Sequence, residues 1–182
     1  MRTGQAIRAG IHPRTLYEMR EAGMVERLSR GVYRLADLPP LSDPDLVSVS
    51  IRAPESVICL ISALAFHGLT TQIPHQIYIA VERRSRIPKI DYPPVRVVRF
   101  SPKAFRAGVE LYRVDKVTIR VYGPEKTVAD CFKYRNKIGL DTAVEALKLY
   151  RRRRRAKMDE LLQFARVCRV YNIMRPYLEA LV

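Results

Sequence analysis

The sequence predicts an α+β fold in two parts. Residues 1 to 38 read as a small winged helix-turn-helix, and residues 39 to 182 as a larger α/β domain with a mostly antiparallel or mixed sheet and a helical C-terminus. Three observations predict it. Two short helical stretches and a hairpin signal precede the paired prolines Pro39-Pro40, four β-branched runs lie between Gln76 and Tyr122, and helical periodicity takes over from Pro124. A chain of 182 residues with 48% in the hydrophobic class holds enough apolar material for a sizeable core beside a small module.

Thr3 can cap a short helix over Gly4 to Ala9, and Gly10-Ile11-His12 breaks it. Pro13 stands in the first turn of a second helix, where no N–H donor is needed. That helix, Pro13 to Ala22, sets Leu16 and Met19 on one side and Arg14, Tyr17, Glu18 and Glu21 toward the other, and Gly23 ends it. Met24 to Leu28 and Gly31 to Leu35 follow as short strands around Ser29-Arg30-Gly31, with Gly31 supplying the positive φ of the hairpin. Leu38 to Ser42 reads as a linker, because paired prolines stop both helix and sheet. Beyond it, Asp43 to Val49 starts a short helix. Pro54 opens a longer one through Phe66, apolar nearly all round and therefore central. Gln76 to Val81, Val95 to Phe100, Val109 to Val114 and Val117 to Tyr122 alternate as strands, the last two joined by Asp115-Lys116. Helices are expected over Pro124 to Tyr134, Asp141 to Ala156, Met158 to Val170 and Ile173 to Leu181, and no internal repeat is visible.

A net charge of +15 makes a polyanion the first partner to consider. The charge is unevenly placed. Seven arginines (2, 8, 14, 20, 27, 30 and 34) face four acids in residues 1 to 40, eleven basic residues face three acids in 83 to 120, and ten face two in 133 to 157. No run reaches the ~18 apolar residues of a membrane span, and Met1-Arg2-Thr3-Gly4 opens no apolar leader, so a cytoplasmic protein without a membrane partner is expected. Cys59, Cys131 and Cys168 are odd in number, far apart and set in apolar stretches. They read as buried thiols rather than a disulfide framework or zinc module.

A helix-turn-helix with a wing reads DNA by laying its second helix in the major groove while the hairpin touches phosphates. That assigns Arg14, Thr15, Tyr17 and Arg20 to the groove and Arg27, Arg30 and Arg34 to the backbone. The same pattern also fits an ordinary helical module with solvated arginines. Arg83, Arg84, Arg86 and Lys89 form one further basic cluster, and Arg151, Arg152, Arg153, Arg154 and Arg155 another. At ~100° per residue five consecutive positions encircle a helix, so at least two of these arginines would point away from any single partner. The run reads either as a contact for phosphate or acidic protein, or as cations complementing a helix C-terminus.

Asp43-Pro44-Asp45 is the one acidic pair that suggests metal-dependent nucleotidyl transfer, although Pro44 argues for a helix start. His12, His67 and His75 lack ligand spacing, and His67, ending an apolar helix, reads as a packed histidine. No hydrolase, zincin or phosphate-loop motif occurs, so neither a catalytic constellation nor a cofactor is expected. Lys126 and Asp130, four apart in a helix opened by Pro124-Glu125, can pair along the surface.

Four segments taken in order resemble the AbiEi-like antitoxins of type IV, or abortive-infection, toxin–antitoxin systems, regulators of viral defence. They are Ala9-Gly10-Ile11-His12-Pro13-Arg14-Thr15-Leu16-Tyr17, Leu28-Ser29-Arg30-Gly31-Val32-Tyr33-Arg34-Leu35, Ile61-Ser62-Ala63-Leu64-Ala65-Phe66-His67-Gly68-Leu69 and Pro124-Glu125-Lys126-Thr127-Val128-Ala129-Asp130. The resemblance implies a winged helix-turn-helix and an α/β domain that both supports binding to double-stranded DNA and counteracts the toxin. It implies repression of the chain's own operon through inverted repeats in the promoter. The implied toxin is a nucleotidyltransferase-like protein encoded alongside, with no stable complex between the two. By position, Arg14, Thr15 and Tyr17 match the recognition helix and Arg30 the wing. Members of that family carry another helix ahead of the first one read here. The resemblance therefore implies either a misassigned start or an incomplete DNA-binding half, in which Ile7, Ile11, Leu16 and Met19 need cover from the larger domain or a second subunit. Two other readings stand beside it: an RNA-binding or ribosome-associated protein using the same basic tracts, and a nucleotidyltransferase centred on Asp43 and Asp45.

Overall fold

The computed structural model describes residues 1–180, and Leu181, the expected end of the last helix, lies outside them. Helices α1 (Thr3–Arg8) and α2 (Pro13–Glu21) are joined by a turn in which Gly10 takes φ +84°. Pro13 occupies the first turn of α2, and His12 caps it, its Nδ1 accepting from the Arg14 N–H at 3.2 Å. Strands β1 (Val25–Ser29) and β2 (Val32–Leu35) form an antiparallel hairpin. The Tyr33 N–H donates to the Met1 carbonyl at 2.9 Å, and Arg2 makes a single antiparallel bridge to Val32, so the first two residues lie alongside β2. The hairpin also closes the module's core. Leu16 is 1% exposed against Ala6, Val25 and Tyr33, with Ile11 and Met19 at the margin. Of the four apolar residues expected to need outside cover, Ile7 alone stays exposed.

Helix α3 (Pro44–Arg52) starts on Asp43, whose Oδ1 accepts from the Leu46 N–H at 2.9 Å. Leu46 and Val49 of α3 pack on one face of a five-stranded sheet built from β3 (Val57–Ile58), β4 (Ile77–Glu82), β5 (Val95–Phe100), β6 (Val109–Val114) and β7 (Val117–Tyr122). The order is β5-β4-β3-β7-β6, with β4/β5 and β3/β7 parallel and β3/β4 and β6/β7 antiparallel. Ile77 to Val81 are all buried because both faces of the central strands are covered. The long helix expected from Pro54 is not there. Val57-Ile58 pairs on both sides as β3, and α4 begins only at Leu60 and runs to Phe66. A short run buried on all sides shows the same unbroken apolar pattern as a buried helix, so periodicity could not separate the two.

The other face carries α4, α5 (Pro102–Arg106), α6 (Pro124–Lys133), the single turn α7 (Arg135–Ile138), α8 (Leu140–Arg151), α9 (Met158–Val167) and α10 (Tyr171–Glu179). Helix α6 lies against α4, α8 and α9, and every residue from Glu125 to Phe132 is buried. This overturns the expected surface pair. Lys126 and Asp130 are both 0% exposed, and the Lys126 ammonium bonds to Asp130 Oδ2 while standing 4.2 Å from the Tyr122 ring centre and 4.9 Å from that of Phe100. Cys168 Sγ donates to Asp130 Oδ1 at 3.1 Å. Burial pushes the Asp130 carboxyl up, with Lys126 opposing, and burial beside Asp130 raises the Cys168 thiol to about 12. Gly108 permits this close packing. At φ +69°, an added Cβ would meet Lys126 Cβ at 2.7 Å.

Candidate nucleic-acid interface

Because Leu16 faces the module core, the helical period turns Arg14, Thr15, Tyr17 and Arg20 of α2 outward, and all four are exposed. Arg14 Nε donates to Glu18 Oε1 at 3.1 Å, one turn along, and the Arg20 guanidinium lies 5.5 Å from the Tyr17 ring centre. On the wing, Arg27 and Arg30 are exposed. Arg34 is not available in the same way. Its side chain is 8% exposed, its Nε is 2.9 Å from Glu26 Oε1, and its NH2 donates to the carbonyls of Leu38 and Pro39. It ties the hairpin to the segment leading out of the module, which corrects its assignment to DNA phosphates.

The wing turn is joined to the larger domain by Arg52, the last residue of α3. Arg52 NH2 donates to the Lys89 carbonyl at 2.9 Å and NH1 to the Arg30 carbonyl at 3.4 Å. Asp91 Oδ2 lies 3.9 Å from Arg52 and 4.0 Å from Arg30. Lys89 and Asp91 belong to the crossover, residues 83 to 94, that parallel pairing of β4 and β5 requires. Arg99 on β5 holds the other end of this loop, donating to the carbonyls of Arg83 and Ser85. Arg83, Arg84, Arg86 and Lys89 project from it, all exposed. The first basic cluster therefore sits beside the wing.

The second does not. Serine 42 anchors the chain leading out of the module, its N–H and Oγ both donating to Asp115 Oδ2 at 2.9 Å, beside the Val117 end of β7. Arg153 donates to the His67 carbonyl, and His67 Nε2 lies 2.8 Å from the Tyr122 carbonyl at the other end of that strand. At ~3.4 Å per residue, β7 separates the two anchor points by about 17 Å. The arginine run also fails to encircle a helix as expected. Helix α8 ends at Arg151, and Arg152 to Arg155 continue in turns. Continuing the helix would stack Arg155 over Arg151, like charges one turn apart. The chain folds back onto Tyr150 instead, whose hydroxyl donates to Glu125 Oε1 at 2.7 Å and accepts from the Lys157 N–H at 2.7 Å. Arg151 donates to the Leu178 carbonyl at 3.3 Å, so two of the five arginines secure the fold, while Arg152, Arg154 and Arg155 are exposed.

Asp43 is spent on the α3 cap, and burial pushes its carboxyl up. Burial likewise pushes His67 down, away from the charged imidazolium. Among the described residues, no group of three or more His, Cys, Asp or Glu side chains could hold a metal, and no helix is long and apolar enough to cross a membrane. Sequence reasoning missed Arg52 and Asp91, because each is a lone charge in an unremarkable context and the fold alone brings them together.

A helix-turn-helix with a basic wing, seated on a mixed α/β domain, defines the class as a DNA-binding regulator. Residues 2–36 match the family described as "Transcriptional regulator, AbiEi antitoxin", and residues 56–176 match "AbiEi antitoxin C-terminal domain". The chain belongs to the AbiEi antitoxin family. It is similar in fold to the crystal structure of RV2827C protein from Mycobacterium tuberculosis, with 19% identity and a TM-score of 0.53 over 97% of this chain and 73% of that one. A comparison with curated proteins gave no match.

Proposed function

We propose that this chain is a non-enzymatic, cytoplasmic antitoxin that represses its own operon by binding inverted repeats in its promoter. Arg14, Thr15, Tyr17 and Arg20 enter the major groove, and Arg27 and Arg30 hold the flanking phosphates. Residues 1 to 38 supply the sequence readout. The larger domain supplies further phosphate contacts through Arg83, Arg84, Arg86 and Lys89, and counteracts a nucleotidyltransferase-like toxin without forming a stable complex with it. Arg152, Arg154 and Arg155, at the far end of β7, form a separate basic patch.

The observation that carries this reading is the Arg52 junction. By bonding the Arg30 and Lys89 carbonyls together, it sets the wing and the first basic loop side by side on one surface. A reporter driven by the chain's own promoter tests the proposal. Expression falls when the protein is supplied and returns with Arg14→Ala; a reporter indifferent to the protein would remove the autorepressor role.

A further inference from the structure

Beyond the loop that carries Arg83 to Lys89, the basic surface continues into a groove of about 370 Å³ along the outer edge of β5. Its lining includes Ile87, Arg96, Val97, Arg99, Tyr134 and Lys137. The sequence drew attention to none of these as a group, because they come from a loop, a strand and the turn after α6. Three of the side chains are cations, and no carboxylate shares the lining. Tyr134 is held in place, its hydroxyl donating to the Arg99 carbonyl at 3.2 Å and its ring packed 5.3 Å from that of Phe100. Lys137 stands 5.9 Å from the Tyr134 ring.

We infer that this groove takes the phosphodiester backbone of DNA flanking the site read by the winged helix. The inference rests on the DNA-binding reading above and adds a named binding site to it. A groove with three cations and no acid in its lining favours an anion, since the mutual repulsion of like charges is relieved when a phosphate arrives. Its position selects the anion's source. Ile87 lines the groove two residues from Lys89, whose carbonyl is bonded to the same Arg52 that holds the wing. Arg99 at the opposite end fixes the start of that loop through the Arg83 and Ser85 carbonyls. A loop stapled at both ends makes a fixed path from Arg30, past Lys89, to Arg96 and Lys137. The strand portion of this path, Arg96 to Arg99, is about 10 Å long, which accommodates a few nucleotides of backbone beyond the wing.

The test uses the full chain with Arg96→Gln and Lys137→Gln together, leaving Arg99 in place because it staples the loop. Log affinity is measured against log salt for a promoter duplex, and again after trimming a few base pairs from its outer flank. Each phosphate contact contributes about 0.9 to the slope, so the double variant is expected to flatten it by nearly two, and trimming should weaken the wild type several-fold and the variant hardly at all. Unfolding temperatures of the two proteins should agree, which separates lost contacts from lost structure. An unchanged slope with promoter preference intact in the wild type would overturn the groove while leaving the proposed function standing; a wild type without promoter preference would instead overturn that function. A mononucleotide that shifts the Tyr134 resonances in wild type but not in the variant, with the DNA slope unaltered, would reassign the groove to a free nucleotide and overturn the inference.

Discussion

Replacing Lys126 by Met removes one member of an ion pair sealed in the core of the larger domain while keeping the length of the side chain. Both residues are 0% exposed, and the ammonium lies over two aromatic rings at 4.2 and 4.9 Å. Without it, Asp130 keeps the hydrogen bond from the Cys168 thiol and the weaker, longer-range charge of Lys133. Breaking a buried pair from one side typically costs about 3–5 kcal/mol, because the remaining charge loses its compensation. Against a total stability of roughly 5–15 kcal/mol, the variant should fold but be visibly weakened in urea unfolding at neutral pH. Burial already pushes the Asp130 carboxyl up, so once unpaired it takes a proton readily, and the deficit should shrink on acidification. Lys126→Met combined with Asp130→Leu should recover most of the loss, to within about 1 kcal/mol of wild type, since two apolar side chains of similar volume need no partner. DNA affinity should stay unchanged in the double variant. A double variant as unstable as the single one, or a single variant within 1 kcal/mol of wild type, would refute the argument.

Gly108→Ala should destabilise by about 2–4 kcal/mol in the same unfolding assay, because φ +69° is costly for any other residue and the added methyl lies 2.7 Å from Lys126 Cβ; a loss below 0.5 kcal/mol would show that the packing gives way there. His67 is held neutral by burial, so the unfolded chain binds a proton that the folded chain resists: stability is present above pH 6.5 and lost as pH falls through it, at no more than about 1.4 kcal/mol per pH unit. A His67→Gln variant should show a smaller fall in unfolding temperature between pH 7.5 and 5.5, and an equal fall would remove His67 as the cause. Arg151→Gln with Arg153→Gln should lower the unfolding temperature, whereas Arg152, Arg154 and Arg155 changed together to Gln should leave it alone; the opposite pattern would contradict the division between fold-securing and solvent-facing arginines.

The N-terminal module was largely legible because its signals are local. Pro13 starts α2, Gly31 turns the hairpin with φ +74°, and both behave as backbone chemistry demands. The strands from Ile77 onward were legible from β-branched alternation, and Gln76 was the only residue of that first run to fall outside β4. What escaped was set by packing across the chain. Lys126 and Asp130 look like a solvent-facing pair until α4, α8 and α9 are placed around α6. The path of Arg151 to Arg155 depends on Tyr150 reaching Glu125 from 25 residues away, and nothing within the run reports that. Of the candidate interface, the outward face on α2 and the clusters of charge were legible, but their adjacency was not. Arg52 and Asp91 join the wing to the β4–β5 loop across separations that no motif encodes.

The central claim is that α2 and the wing read sequence while the adjoining loop adds sequence-independent affinity. Fluorescence anisotropy at ~0.15 M salt, comparing a duplex from the chain's own promoter with a shuffled duplex of equal length and composition, tests it most directly. Promoter binding is expected to be tighter by about a thousandfold or more, and Arg14→Ala is expected to cut that preference by roughly 1–3 kcal/mol where the side chain meets a base. Equal affinity of the wild-type protein for the two duplexes would contradict the claim.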